Sequence, residues 1–454
     1  MGSTHFMTRK IIYLLPKILK IVHRQMLKNA IYLILLIWHV GIKQKVNYVT
    51  DKIQFLIVLM MFVRQSNIGI ISLLSIILGK YMTKTLELTS QLVSIPSWVG
   101  TGCDEIKVAD FIFDWLKANT KLDVIKQPVI NGRYNIIAKT IGETPTRIIF
   151  AGHIDTVQAG ANWEMDPFVP VIKNDRLYGR GSSDMKGSLS AMLQAIADSK
   201  DMPGLMVLIY IDEEYDFAGM KAFIKEYGSA LSPELVVSLD GYTGKIGTGC
   251  RGLIEVSFKL LGKTGHAGRP DNGVNAIVSG TNCVAKLKRQ LATKYSDPVL
   301  GISTLNLAYI QGGLNLGDNR YGREGNNIAD IAEFVLDIRP ASPNLDSQVV
   351  KAILSRYAAS AKLELVDFAV RHDLGAWITP YQDISTKLDL PGIPETFGGY
   401  VDTQMIWASC GKPTCLAIGA ATPAVAHAVN EYVEIIDLET TYQNVLNILK
   451  KYSK

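Results

Sequence analysis

Arg147-Ile148-Ile149-Phe150-Ala151-Gly152-His153-Ile154-Asp155-Thr156-Val157 joins an apolar run to an imidazole and, two residues on, a carboxylate. The run predicts a buried strand over 147–151, because a continuous short apolar stretch fits a strand covered on both faces. Similar runs predict strands over 135–138, 205–211 and 236–240, with an alanine-rich helix over 187–199. Upstream, Leu86, Leu88, Leu92, Val93 and Ile95 predict a helix that ends at Pro96, and 106–116 a second one. Strands alternating with helices imply an α/β core, a mixed and largely parallel sheet sandwiched by helices. Such sheets carry their chemistry in loops beyond the carboxyl ends of strands, so those loops hold the candidates.

Five loops or strand ends stand out. His153 and Asp155 pair an imidazole with a nearby acid, as metal-ligating histidines and their orienting carboxylates often do, but the tripeptide alone is common by chance and reads first as a solvated loop histidine. Tyr178-Gly179-Arg180-Gly181-Ser182-Ser183-Asp184-Met185-Lys186-Gly187 presents Asp184 on a glycine-constrained backbone just before a helix, where an acid also suits the helix dipole. Asp212-Glu213-Glu214 ends the strand 205–211. Adjacent carboxylates repel unless cations neutralise them or one keeps its proton, so the cluster suggests a metal site or a tuned acid–base pair; a solvated acidic loop is the plain alternative. Asp240 ends another short apolar run, and Ala426-His427-Ala428-Val429-Asn430-Glu431 lies far downstream. Residues 82–454 contain four histidines, and His153 and His427 both fall in these segments.

The 454 residues allow two or three domains, and 48% apolar with 20% charged residues excludes bulk disorder. Five cysteines without a C-x-x-C pair signal neither a disulfide framework nor a zinc knuckle, so a reducing, cytoplasmic setting is expected. The formal net charge of +5 is unevenly spread: residues 1–81 hold eleven of the 47 Lys and Arg but one of the 42 Asp and Glu. The remaining chain is therefore acidic, and no nucleic-acid partner is expected. Within 1–81 the apolar runs 30–38, 53–63 and 68–78 are each shorter than the roughly 18 residues a membrane span needs. Three readings stand for this segment: a basic membrane-associating arm, a degenerate anchor, or translated upstream sequence with the native start at Met82, which is preferred because residue usage changes there.

Residues 252–370 change pattern. Strands over 253–261, 304–311, 329–338 and 363–370, with helices over 275–291 and 345–358, give the order βαββαβ, a ferredoxin-like α+β unit inserted between catalytic parts at 82–251 and 371–454.

Taken together, 152–157, Asp166-Pro167-Phe168, 179–187, Asp212-Glu213-Glu214, Gly265-His266-Ala267 and 427–431 resemble the co-catalytic dizinc amidohydrolases and exopeptidases that include acetylornithine deacetylase, succinyl-diaminopimelate desuccinylase, aminoacylase and glutamate carboxypeptidase. The resemblance runs from about Leu86 to the C-terminus and implies a zinc-exopeptidase-like fold with a lid or dimerisation domain at 252–370. It also implies two zinc ions per chain, with cobalt or manganese as substitutes, held by His153, Asp184, Glu214, Asp240 and His427, with Asp184 bridging. Asp155 would orient the His153 ring, and Glu213 would be the general base that takes a proton from water and passes it to the leaving amine. His266 would stabilise the oxyanion, usually in the partner subunit of a homodimer formed through the lid. Asn327, Arg339 and Gly399, the last in Gly398-Gly399, would contact substrate, Arg339 as a bidentate partner for a carboxylate.

The implied activity is hydrolysis of the amide of an N-acyl amino acid, with a dipeptidase or carboxypeptidase on the same site, or a non-catalytic membrane-tethered binding protein, as alternatives. The chain departs from the family at Tyr215-Asp216-Phe217-Ala218-Gly219, where many relatives have a glycine closer to the glutamate pair.

Overall fold

The computed structural model describes residues 83–453 apart from Thr101 and Asp201. The segment 1–81, with its membrane and native-start readings, lies outside the described residues. In chain order the elements are α1 (Lys84–Val93), α2 (Ile106–Asn119), β1 (Asp123–Ile130), β2 (Arg133–Lys139), β3 (Ile148–His153), β4 (Val171–Lys173), β5 (Arg176–Tyr178), α3 (Gly187–Asp198), β6 (Leu205–Tyr210), α4 (Ala218–Tyr227), β7 (Leu235–Ser238) and β8 (Lys245–Cys250). There follow β9 (Leu253–Leu261), α5 (Ala276–Lys294), β10 (Thr304–Asn315), β11 (Tyr321–Gly322), β12 (Ile331–Arg339), α6 (Ser347–Ser360), β13 (Glu364–Leu374), β14 (Trp377–Ile378), α7 (Tyr381–Lys387), β15 (Ile393–Phe397), α8 (Gln404–Ser409), β16 (Thr414–Ala417), β17 (Tyr432–Glu434) and α9 (Ile435–Tyr452).

The main sheet runs β1-β2-β6-β3-β7-β16-β8-β14, with β15 also on β8. Its centre is parallel, β6 and β7 flanking β3 and β16 following β7, whereas β1, β2, β8 and β14 join through antiparallel pairs. The sheet is thus mixed, and parallel where the sequence shows unbroken apolar runs. β3 demonstrates why: alternate side chains leave opposite faces of a strand. Ile148 and Phe150 pack with residues of α1, α2, α3 and α9, while Ile149 and Ala151 pack with residues of α4 and α8. Both faces are covered, and all six residues of β3 are buried. Phe150→Ala, which empties a fully buried ring site, is expected to cost about 3–5 kcal/mol, read as a lower urea midpoint.

Residues of β9–β13 form a second, antiparallel sheet in the order β11-β10-β12-β9-β13, the strand order of a ferredoxin-like unit extended by two-residue β11. Ile254, Val256, Phe258 and Leu260 of β9 and Ala332, Phe334, Leu336 and Ile338 of β12 pack against α5 and α6 on one face. Glu255, Asp337 and Arg339 therefore point the other way. Both helices start one residue after a capping side chain, since Asn275 accepts from Val278 N and Asp346 from Val349 N.

Candidate active site

The site lies at the carboxyl end of the parallel strands. β3 ends in His153, aligned with Tyr210 at the end of β6. The His153 ring is buried, its Nδ1 lying 3.1 Å from the Asp155 carbonyl oxygen and 3.5 Å from Asp155 Oδ1, its Nε2 3.2 Å from Asp184 Oδ1. Asp155, also buried, does a second job: its Oδ1 accepts from Glu213 N at 3.1 Å and its Oδ2 from Glu214 N at 2.9 Å. One carboxylate thus faces the imidazole and holds the backbone that carries both glutamates.

The three consecutive acids after β6 separate on folding. Asp212, at φ 66°, turns away to accept from Arg133 Nη2 at 2.7 Å and Ala218 N at 3.2 Å. Glu213 and Glu214 face a cavity of about 600 Å³, which Asp184, Asp240 and His427 also line. His427 Nε2 stands 2.9 Å from Glu214 Oε1 and 3.4 Å from Asp184 Oδ2. Asp240 follows β7 by two residues, its amide donating to Ser238 Oγ at 3.2 Å.

Two groups emerge with ligand-capable atoms all within 4.8 Å of one another: His153, Asp184 and Asp240, and Asp184, Glu214 and His427. Asp184 belongs to both. Each group offers imidazole nitrogen and carboxylate oxygen, the donor set that suits zinc and related divalent ions. The electrostatics fit cations too. Hydrogen bonds to Asp184 and Glu214 push His427 up to about 10, and burial, reinforced by Asp184, pushes Asp240 up to about 7. Burial raises Glu214 as well. Burial also raises Glu213 well above the usual carboxylate range, with His153 opposing and Asp402 and Glu214 adding to it. Asp184, Glu213, Glu214 and Asp240 share one cleft, and positive charge among them relieves their repulsion.

The residues expected to touch substrate divide. Arg339 and Gly399 line the cavity, and Arg339 is held by Asp337 through two bonds, Nε to Oδ1 at 2.8 Å and Nη2 to Oδ2 at 3.0 Å. His266 and Asn327 pair with each other in an isolated bridge, and neither lines this cavity. His266 is exposed, its Nδ1 accepting from Gly268 N at 3.0 Å.

Several residues had no role in the sequence reading. A shift in strand register between Val370 and His372 lets Arg371 and His372, neighbours on β13, both line the cavity. Arg371 Nη2 donates to Asp216 at 2.8 Å and its Nη1 to Glu255 at 3.1 Å, and His372 packs edge-on against Phe217. Buried Asp402, on the segment after Gly398-Gly399, accepts from Tyr210 OH at 2.5 Å. Glu431 binds the 181–184 turn. Only its place in the 427–431 motif hinted at this.

The profile of peptidase family M20/M25/M40 matches residues 149–451. The chain belongs to this peptidase family. As an M20/M25/M40 member it is a hydrolytic enzyme, and its curated relatives include an acetylornithine deacetylase of Proteus mirabilis, 26% identical over 388 residues, covering 81% of this chain and 96% of the relative. They also include succinyl-diaminopimelate desuccinylase 1 of Alteromonas mediterranea, 30% identical over 361 residues, covering 73% of this chain and 88% of the relative. Among solved structures, an M20 family metallo-carboxypeptidase of Sulfolobus solfataricus superposes with a TM-score of 0.65 at 19% identity, covering 82% of this chain and all of that one, a likeness of fold.

Proposed function

We propose that this M20/M25/M40 hydrolase cleaves the amide of an N-acyl amino acid, of the acetylornithine or succinyl-diaminopimelate kind, at a pair of zinc ions held by His153, Asp184, Glu214, Asp240 and His427. The observation that carries this reading is the pair of ligand groups sharing Asp184, with Glu213 in the same cavity but in neither group. Two such cations supply one kind of chemistry: they lower the pKa of water towards neutrality and polarise the amide carbonyl. The chain's own residues do the rest. Glu213, kept basic by burial, takes a proton from the attacking water and delivers it to the nitrogen as the carbon–nitrogen bond breaks. Asp155 fixes the His153 ring and, through the amides of Glu213 and Glu214, the distance between base and ligand.

Residues 252–370 act in this reading as an inserted lid between catalytic parts 82–251 and 371–454. Exposed Tyr309 and Ile310 on β10, whose outer edge pairs, among the described residues, with two-residue β11 alone, support a homodimer through the lid. His266 would then act as oxyanion donor in the partner's cavity, with Asn327 beside it. Arg339 and Gly399 would contact the substrate. Among the described residues no helix is long and apolar enough to cross a membrane, and a cytoplasmic enzyme remains part of the proposal.

The test is metal analysis together with a panel of N-acetyl and N-succinyl amino acids and dipeptides. About two zinc ions per chain, with activity lost to a chelator and restored by zinc, is the expected result. Hydrolysis of dipeptides in place of the acyl amino acids would keep the site and overturn the substrate; absence of stoichiometric metal would overturn the ligand set.

A further inference from the structure

Glu431 is fully buried, and each of its oxygens is used twice. Oε2 accepts from Arg180 Nη1 at 2.6 Å and Gly181 N at 3.0 Å; Oε1 accepts from Ser183 N at 2.9 Å and Asp184 N at 3.0 Å. Successive backbone amides that converge on one carboxylate form an anion-binding concavity. Here the anion is a side chain from elsewhere in the fold. The turn depends on it for shape. Gly181 sits at φ 81°, and a Cβ there would lie 2.7 Å from Thr156 Cγ2, so the backbone has little room for another arrangement.

The same pair reaches the other side of the site. Arg180, buried like its partner, directs Nη2 to the His427 carbonyl oxygen at 3.4 Å and to those of Gln158 and Ala159 at 3.4 Å. His427 itself has φ 62°, in the left-handed region that few non-glycine residues occupy, though histidine does so more readily than most. Asn430 adds a tie, accepting from Glu164 N at 2.9 Å through Oδ1. Because Glu431 and Arg180 neutralise each other, their contribution to the site is geometric.

We propose that Arg180 and Glu431 are positioning residues that set the affinity of the metal centre, by holding the Asp184 and His427 backbones in register although neither side chain touches an ion. The inference rests on the reading of Asp184 and His427 as ligands. Partners that hold ligands in place commonly cost about 10–100-fold in metal affinity when removed, and that range is expected for Glu431→Gln, whose NH2 would face two N–H donors whichever way it turns, Ser183 and Asp184 or Arg180 and Gly181.

The experiment measures zinc affinity by chelator competition, with thermal unfolding recorded on the same samples. Glu431→Gln should fold and bind zinc about 10–100-fold more weakly. Glu431→Asp keeps the charge opposite Arg180 but is too short to span both pairs of amides, and it should weaken binding as well. Wild-type affinity in a folded Glu431→Gln or Glu431→Asp protein would overturn the proposal. Hydrogen exchange on the metal-free proteins gives an independent arm: Glu431→Gln should quicken exchange in 180–184 and 427–431 together, and wild-type exchange in both segments would also overturn the proposal. Asp184→Asn separates the two ideas. If it keeps wild-type affinity, the ligand reading itself has failed; if it loses zinc while the Glu431 variants do not, the ligand reading stands and the positioning role falls.

Discussion

Asp184→Asn is expected to give a folded protein whose zinc content falls from about two per chain to well below one, with hydrolysis lost in parallel. Asp184 is the residue common to both ligand groups, its Oδ1 3.2 Å from His153 Nε2 and its Oδ2 3.4 Å from His427 Nε2. Burial opposes its charge, yet the hydrogen bonds from His153 and His427 hold it well below the usual carboxylate range, so it is ionised at any pH where the enzyme would work. Asparagine keeps the volume and removes the charge. On the proposed ligand set each ion would then lose a shared anionic ligand, and the loss should exceed the about 10–100-fold expected when a ligand's supporting partner is removed. Metal analysis after gel filtration, beside circular dichroism to confirm folding, reads the result. Retention of one tightly bound ion would show that Asp184 serves a single site and does not bridge.

Glu213→Gln should give the opposite combination: metal content unchanged and turnover lower by about 10²–10⁴-fold, the range a positioned general base contributes. Glu213 lies in the cavity but outside both ligand groups, and its amide is held by Asp155 at 3.1 Å, so the substitution leaves the frame in place. The contrast with Asp184→Asn is the informative part. A single-turnover rate falling with metal content intact supports a proton-transfer role, whereas joint loss of metal and rate would make Glu213 a ligand.

Much of the core was legible because its signals are local. Unbroken apolar runs mark β3, β6 and β7, which are covered on both faces, and α3 begins at the expected Gly187. The six main elements of the inserted unit also follow the expected order: β9 and β12 alternate buried and part-exposed residues, and both helices begin at capping side chains. Other elements carry too little sequence to show a period. β4, β5 and β17 have three residues each; β4 and β5 form a hairpin across Asn174-Asp175, and β17 joins them from more than 250 residues away, as Tyr432 pairs with Tyr178. β1 contains Pro128 at an irregularity in its pairing with β2, which blurs its alternation. β13 continues to Leu374, beyond the expected 370, and its shifted register is set by its neighbour β9.

The site divides along the same line. By itself the sequence determined which residue types are available for chemistry: His153, Asp155, Glu213, Glu214 and Asp240 at or just after apolar runs, Asp184 in a glycine-rich loop, and His427 far downstream. Identity and position along a strand are properties of neighbouring residues, so a single chain reveals them. The tertiary structure alone decided that Asp184 faces both His153 and His427, and that Asp212 turns to Arg133 while its two neighbours face the cavity. It also placed Glu431 under the 181–184 turn, Asp402 against Tyr210, and Arg371 and His372 along the cavity. These are contacts between segments tens to hundreds of residues apart. Their geometry comes from packing three sheets and their helices to high density, which no local pattern encodes.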